Sequence, residues 1–230
     1  MTRHILLINP NSSQATSAMM QAIAQRAAGD GLAVAVATAR RSPAMIVTED
    51  DLLAAAAEVI EIGMGHAADC AGIVVSAFGD PGLDELRERV DIPVTGICEA
   101  SMQVAAQGGR PFAVATTTPL LADAIAARAA ALGFADQLTG IRCTAGDPLA
   151  LSADKAGLTA ALGKMVEACI ADGAKAVIIG GGPLGEAAGA LQAHYTTPVI
   201  SPIPCAITSL LNQIASARGP EGFTAVTAVR

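Results

Sequence analysis

Ser76, Asp80, Glu99 and Cys205 are the side chains best suited to moving a proton or attacking a carbonyl, and each follows closely on a short apolar run. A carboxyl group that burial raises toward neutrality can act as general base or acid. A thiol near the start of a helix ionises more readily than a free one. A serine hydroxyl is a weak carbon base unless a partner activates it. Asn11, Ser12, Thr116 and Thr117 occupy similar places after other apolar runs and offer amide and hydroxyl groups to a ligand. Each residue also has a structural use open to it. Asp80 suits a turn, Glu99 can hold a loop by accepting N–H bonds, and Cys205 can pack as a small hydrophobe. The functional reading rests on the set.

The rest of the inventory mostly excludes. His4, His66 and His194 sit where apolar runs begin or helical stretches close, so serine–histidine catalysis is not expected. The five cysteines are scattered, with no CxxC or Cys/His spacing, which predicts free thiols in a reducing cytoplasm and no metal. A formal net charge of -7 argues against nucleic acid, whose phosphates need a basic surface. The opening apolar stretch runs into Asn9-Pro10-Asn11 too soon for a signal peptide, and no apolar run predicts a membrane span. Gly180 to Gly185 reads as GxGxxG, but the next strand ends Ile200-Ser201-Pro202, without the acidic residue that holds a ribose. No nicotinamide, flavin or other cofactor is expected. The glycines instead let backbone approach a small ligand.

The elements that must position these residues alternate between strand and helix. Strands are predicted near 4–9, 32–38, 71–76, 92–95, 111–115, 137–142, 175–179 and 197–200. Helices are predicted near 13–28, 49–66, 83–89, 98–107, 119–132, 153–172, 185–193 and 204–217. This is an α/β pattern with mostly parallel strands. Hydrophobic residues make up 52% of the chain and aromatics only 2%, so the core is aliphatic, as helices on a parallel sheet require. The landmarks recur: Ile5–Ser13 resembles Phe112–Leu120, Gly72–Leu83 matches Ala176–Ala187, and Ile92–Thr95 matches Thr197–Ile200. The chain therefore reads as two copies of one unit, 1–110 with 200–230 and 111–199, enclosing one site between the carboxyl ends of their strands. No Lys or Arg is placed at those ends, so a small polar acid or cyclic amide is expected rather than a nucleotide.

Ile8-Asn9-Pro10-Asn11-Ser12-Ser13, Phe78-Gly79-Asp80-Pro81-Gly82-Leu83, Pro93-Val94-Thr95-Gly96-Ile97-Cys98-Glu99-Ala100 and Phe112-Ala113-Val114-Ala115-Thr116-Thr117 resemble, in order, segments of the aspartate/glutamate/hydantoin racemase superfamily, its hydantoin and allantoin branch in particular. The resemblance implies two pseudo-symmetric parallel-sheet α/β halves with the active site between them, a cofactor-independent isomerase and a homo-oligomer. It implies that Ala77, Phe78, Gly79, Gly181, Gly182 and Pro183 join the binding loops. It also implies a cysteine in each loop, one to take a proton and one to return it from the opposite face. This chain carries Ala77 and Gly181 at those two positions. The expectation is a racemase-like enzyme for a small cyclic ureide or amino-acid derivative that lacks the two-thiol route. The alternatives are a diverged C–N hydrolase or decarboxylase and a non-catalytic ligand-binding homologue. Ser76 adjoins the first position, and strand alternation predicts that it faces away from it.

Overall fold

The computed structural model describes residues 3–217. The chain builds two four-stranded parallel sheets. The first has the order β2-β1-β3-β4, from β1 (His4–Asn9), β2 (Val34–Thr38), β3 (Cys70–Val75) and β4 (Val94–Gly96). The second repeats that order as β6-β5-β7-β8, from β5 (Phe112–Thr116), β6 (Leu138–Cys143), β7 (Val177–Ile179) and β8 (Val199–Ile200). Central strands buried on both faces must be apolar throughout. Ile5–Ile8, Ile73–Val75 and Phe112–Ala115 are accordingly all buried.

Helices cover both sheets: α1 (Gln14–Ala28), α2 (Glu49–His66), α3 (Leu83–Arg89), α4 (Ile97–Ala105), α5 (Ala122–Ala131), α6 (Pro148–Ala153), α7 (Lys155–Ala171), α8 (Gly185–Gln192) and α9 (Pro202–Ala217). Most of the predicted strands begin one or two residues later than the sequence suggests. The short α6 is absent from the sequence reading. Asp147 caps it by accepting from the N–H groups of Leu149 and Ala150, and Pro148 pre-sets its first turn.

Helix α9 returns to the first half. Its buried Ile203, Ala206, Ile207, Leu210 and Ile214 pack with Ile5, Met20 and Ile97. Residues 218–230, which the sequence reading groups with that half, lie outside the described residues. A further core joins the halves: Leu52, Phe78, Cys98 and Met102 of the first pack with Phe112, Val114, Ile125 and Ile178 of the second. Among the described residues no helix is long and apolar enough to cross a membrane.

One long loop is pinned by side chains distant in sequence. Glu58 of α2 accepts from the backbone N–H groups of Arg40 (2.8 Å) and Arg41 (3.0 Å). Asp51 accepts from Val47 and Thr48, completing a capping box at the start of α2. Between these pins lie Met45 and Ile46.

Candidate active site

The two loops singled out by sequence face each other. A side chain on Gly180 would press on Phe78, and one on Gly182 would press on Met20 and on the Ser76 carbonyl. At Gly182 the missing side chain lets the halves approach to backbone contact, and at Gly180 it leaves room for Val114 and Phe78. The loops border a cavity of about 650 Å³. Ser76, Ala77 and Phe78 line it from the first half and Gly180 to Leu184 from the second, with Asn11 and Thr117 beside them. Ser76 borders it together with Ala77, with its hydroxyl turned to the Met20 sulfur.

A buried network sets the polar end. Asn9 donates from Nδ2 to Asn11 Oδ1 (2.9 Å) and to Ser17 Oγ (2.9 Å), while its Oδ1 accepts from the Asn11 N–H. Asn11 Oδ1 also accepts from the Ser13 N–H. With its oxygen so engaged, the Asn11 amide nitrogen is left as a donor for the cavity. Ser13 caps α1 by accepting from the Thr16 N–H. Thr116 is buried behind the cavity and donates to the Gly180 carbonyl (2.7 Å), tying the loops after β5 and β7 together. Thr117 presents itself to the cavity, as does Thr118, whose hydroxyl lies 3.2 Å from that of Thr116.

Three of the four catalytic candidates are placed elsewhere. Asp80, Glu99 and Cys205 do not line the cavity; nor do Ser12, Gly79 and Thr116. Asp80 turns beneath the loop and accepts from the N–H groups of Cys98 (2.9 Å) and Glu99 (2.8 Å) at the start of α4. Burial pushes its carboxyl up to about 7, with those two N–H groups and Arg128 pulling the other way. Glu99 is occupied by Arg87 (2.6 Å) and Arg128 (3.3 Å). Cys205 lies within the first turn of α9, where burial pushes its thiol up to about 11, opposite to the activation a helix start suggests. Ser76 does reach the cavity, but its hydroxyl donates to the Met20 sulfur (3.2 Å). A thioether is a weak acceptor and no base. No cysteine and none of the three histidines lines the cavity.

The charged lining residues are Lys155 and Glu186, paired with each other at 2.9 Å on the outer wall. Lys155 corrects the expectation that no cation reaches the strand ends. The segment after β6 folds as α6 and delivers the first residue of α7 to the mouth. Sequence reasoning also missed the apolar wall of Met19, Met45, Ile46, Leu52, Leu121 and Leu158. The site therefore combines neutral donors at one end, an apolar wall and a single ion pair at its rim. It can orient a compact polar ring and shield an apolar substituent. It places no side chain that titrates near neutrality at its inner end.

Two parallel α/β halves closing on one cavity define the class, a racemase-type fold. Residues 5–210 match the model of the family described as Asp/Glu/Hydantoin racemase. The hydantoin racemase of Rhizobium meliloti is 31% identical over 206 residues, spanning 89% of this chain and 86% of that protein. The hydantoin racemase of Paenarthrobacter aurescens is 28% identical over 205 residues, spanning 88% and 87%. The allantoin racemase structure from Klebsiella pneumoniae superposes with a TM-score of 0.87 at 26% identity, covering 100% of this chain and 96% of that one. The chain belongs to the Asp/Glu/hydantoin racemase family, and its fold is that of a racemase-like isomerase.

Proposed function

We propose that the cavity is the substrate site of a hydantoin- or allantoin-racemase-like enzyme, that it takes a small cyclic ureide or amino-acid derivative, and that it works without two-thiol proton transfer. The observation that carries this reading is the meeting of Ala77 and Gly181 in one cavity whose lining includes no cysteine. The Asn11 amide and the Thr117 hydroxyl suit the carbonyl and N–H groups of a ureide ring. At about 30 Å³ per water, the 650 Å³ cavity has room for about twenty waters, far more than one such ring displaces. The apolar wall suits a substituent on that ring. With no opposed pair of thiols, turnover relies on bound water and on donors that stabilise a developing oxyanion, as in C–N hydrolysis or decarboxylation.

A second reading, a homologue that binds without turnover, is favoured by one observation: the titratable lining groups are the rim pair Lys155 and Glu186. One experiment separates the two. The protein is incubated with a single enantiomer of a 5-substituted hydantoin in D2O and followed by polarimetry and NMR. Ring-opened product supports the diverged enzyme, and binding without product supports the second reading. Loss of optical activity with deuterium at the α-carbon, in the protein as it stands, removes the claim that thiols are needed at those positions. A protein that neither binds nor turns over any ureide refutes the substrate class.

A further inference from the structure

We propose that Asp80 is a positioning residue: through Arg128 it fastens the loop bearing Ala77 and Phe78 to the second half and so sets the opening between the two loops. This goes beyond the proposed function and does not depend on which ligand binds.

The geometry is built for this one carboxylate. Asp80 is non-glycine yet adopts φ 53°, in the left-handed region, between Gly79 at φ 129° and Gly82 at φ 70°. That turn costs backbone strain and persists only where its surroundings fix it. The Asp80 N–H donates back to the Ala77 carbonyl (3.1 Å), and its side chain accepts the two N–H groups that begin α4. Gly96 makes room, since a Cβ there would overlap the Asp80 carboxylate.

Arg128 then crosses between the halves. It stands on α5 of the second half, and its side chain is only 14% exposed. Its Nε is buried without a hydrogen bond and lies at ion-pair distance, 3.6 Å, from Asp80 Oδ2, while Nη1 meets Asp84 (2.6 Å) and Nη2 meets Glu99 (3.3 Å). One guanidinium thus holds three carboxylates of the first half. Arg87 shares the load on Glu99 and Asp84, so two guanidinium groups face three carboxyl groups. Leu121, the residue just before α5, lines the cavity beside Thr117 and Thr118. Asp80 and Arg128 therefore join the Ala77 loop to the threonine loop from behind, where no ligand reaches.

Amide hydrogen–deuterium exchange of the full chain tests this with Asp80→Asn, Arg128→Gln and the double variant. Arg142→Gln, in an ion pair confined to the second half, is the control. Both single variants are expected to speed exchange across residues 76–83 and 96–99 by about 10- to 100-fold, because exchange reports local opening. The double variant should match the faster single variant within about threefold, as members of one network do. The control should leave both segments unchanged. The proposal is overturned if Arg128→Gln acts only within α5, if the single effects multiply in the double variant, or if protection falls by one common factor throughout the chain. Should Asp80→Asn fail to fold, Arg128→Lys, which keeps the cation, is expected to recover most of the protection that Arg128→Gln loses at residues 76–83, and equal loss in both Arg128 variants overturns the proposal.

Discussion

Installing a thiol at each loop, Ala77→Cys with Gly181→Cys, is expected to give the protein two-thiol racemase activity. Both positions line the cavity. At Gly181 the backbone has φ 163°, extended geometry open to any residue. A Cβ there would lie 3.1 Å from Leu184 Cγ and Cδ1, so that side chain must yield a few tenths of an ångström. A small rotamer adjustment of this kind costs about 1 kcal/mol. Replacing glycine restricts the unfolded chain and returns about 0.4–1 kcal/mol. The two nearly cancel, so the melting temperature should move by no more than about 3 °C. Each well-placed acid or base contributes about 10²–10⁴ in rate. The double variant should therefore racemise an enantiopure 5-substituted hydantoin at least about 100-fold faster than either single variant. Alpha-proton exchange in D2O, read by NMR beside polarimetry, distinguishes them: a single thiol exchanges with retention, a pair with inversion. A double variant that folds and binds the hydantoin yet shows no exchange above the parent refutes the placement of these two positions across the reacting carbon.

Other perturbations follow from named contacts. Burial alone would raise Glu58, but the N–H groups of Arg40, Arg41 and Ser42 and the Arg41 charge outweigh it, and its pKa is lowered in the fold. Its stabilisation is therefore present above the unfolded carboxyl value and lost as pH falls through the folded one. Urea unfolding from pH 7 to 3 should show that acid loss, and Glu58→Gln should flatten it while costing about 2 kcal/mol at pH 7. Gly96→Ala should destabilise by about 3 kcal/mol, because the new methyl occupies the Asp80 carboxylate; a denaturant midpoint at the wild-type value counts against the packing described. Cys205 should resist iodoacetamide at pH 8 in the native state, since burial holds its thiol protonated. Peptide mapping that finds it labelled as fast as a free thiol contradicts that burial.

What the sequence made legible is local. Strands β1, β3 and β5 announce themselves as unbroken apolar runs because both their faces are covered. The rule that ligands gather at strand carboxyl ends leads to the loops where Asn11, Ser76, Thr117 and Gly181 line the cavity. That rule fixes where a residue starts but not where its side chain goes. Asp80 and Glu99 satisfy it as well as Asn11 does, yet a left-handed turn swings Asp80 beneath α4, and the missing Cβ of Gly96 receives it. No spacing announces that pairing, because the partners come from different strand ends. The same holds for Met45 and Ile46, brought to the cavity by a loop that Glu58 pins from a helix further along the chain. Lys155 is reached only once α6 has folded. Ala77 and Gly181, the positions to which the family resemblance points, belong to the legible part, since each lies two residues after a strand and needs no distant partner to place it. A wall assembled by tertiary pins governs what is bound, whereas a thiol at each of these two loop positions would govern what can be done to it. For that reason installing the thiols is the decisive perturbation, and reshaping the wall is not.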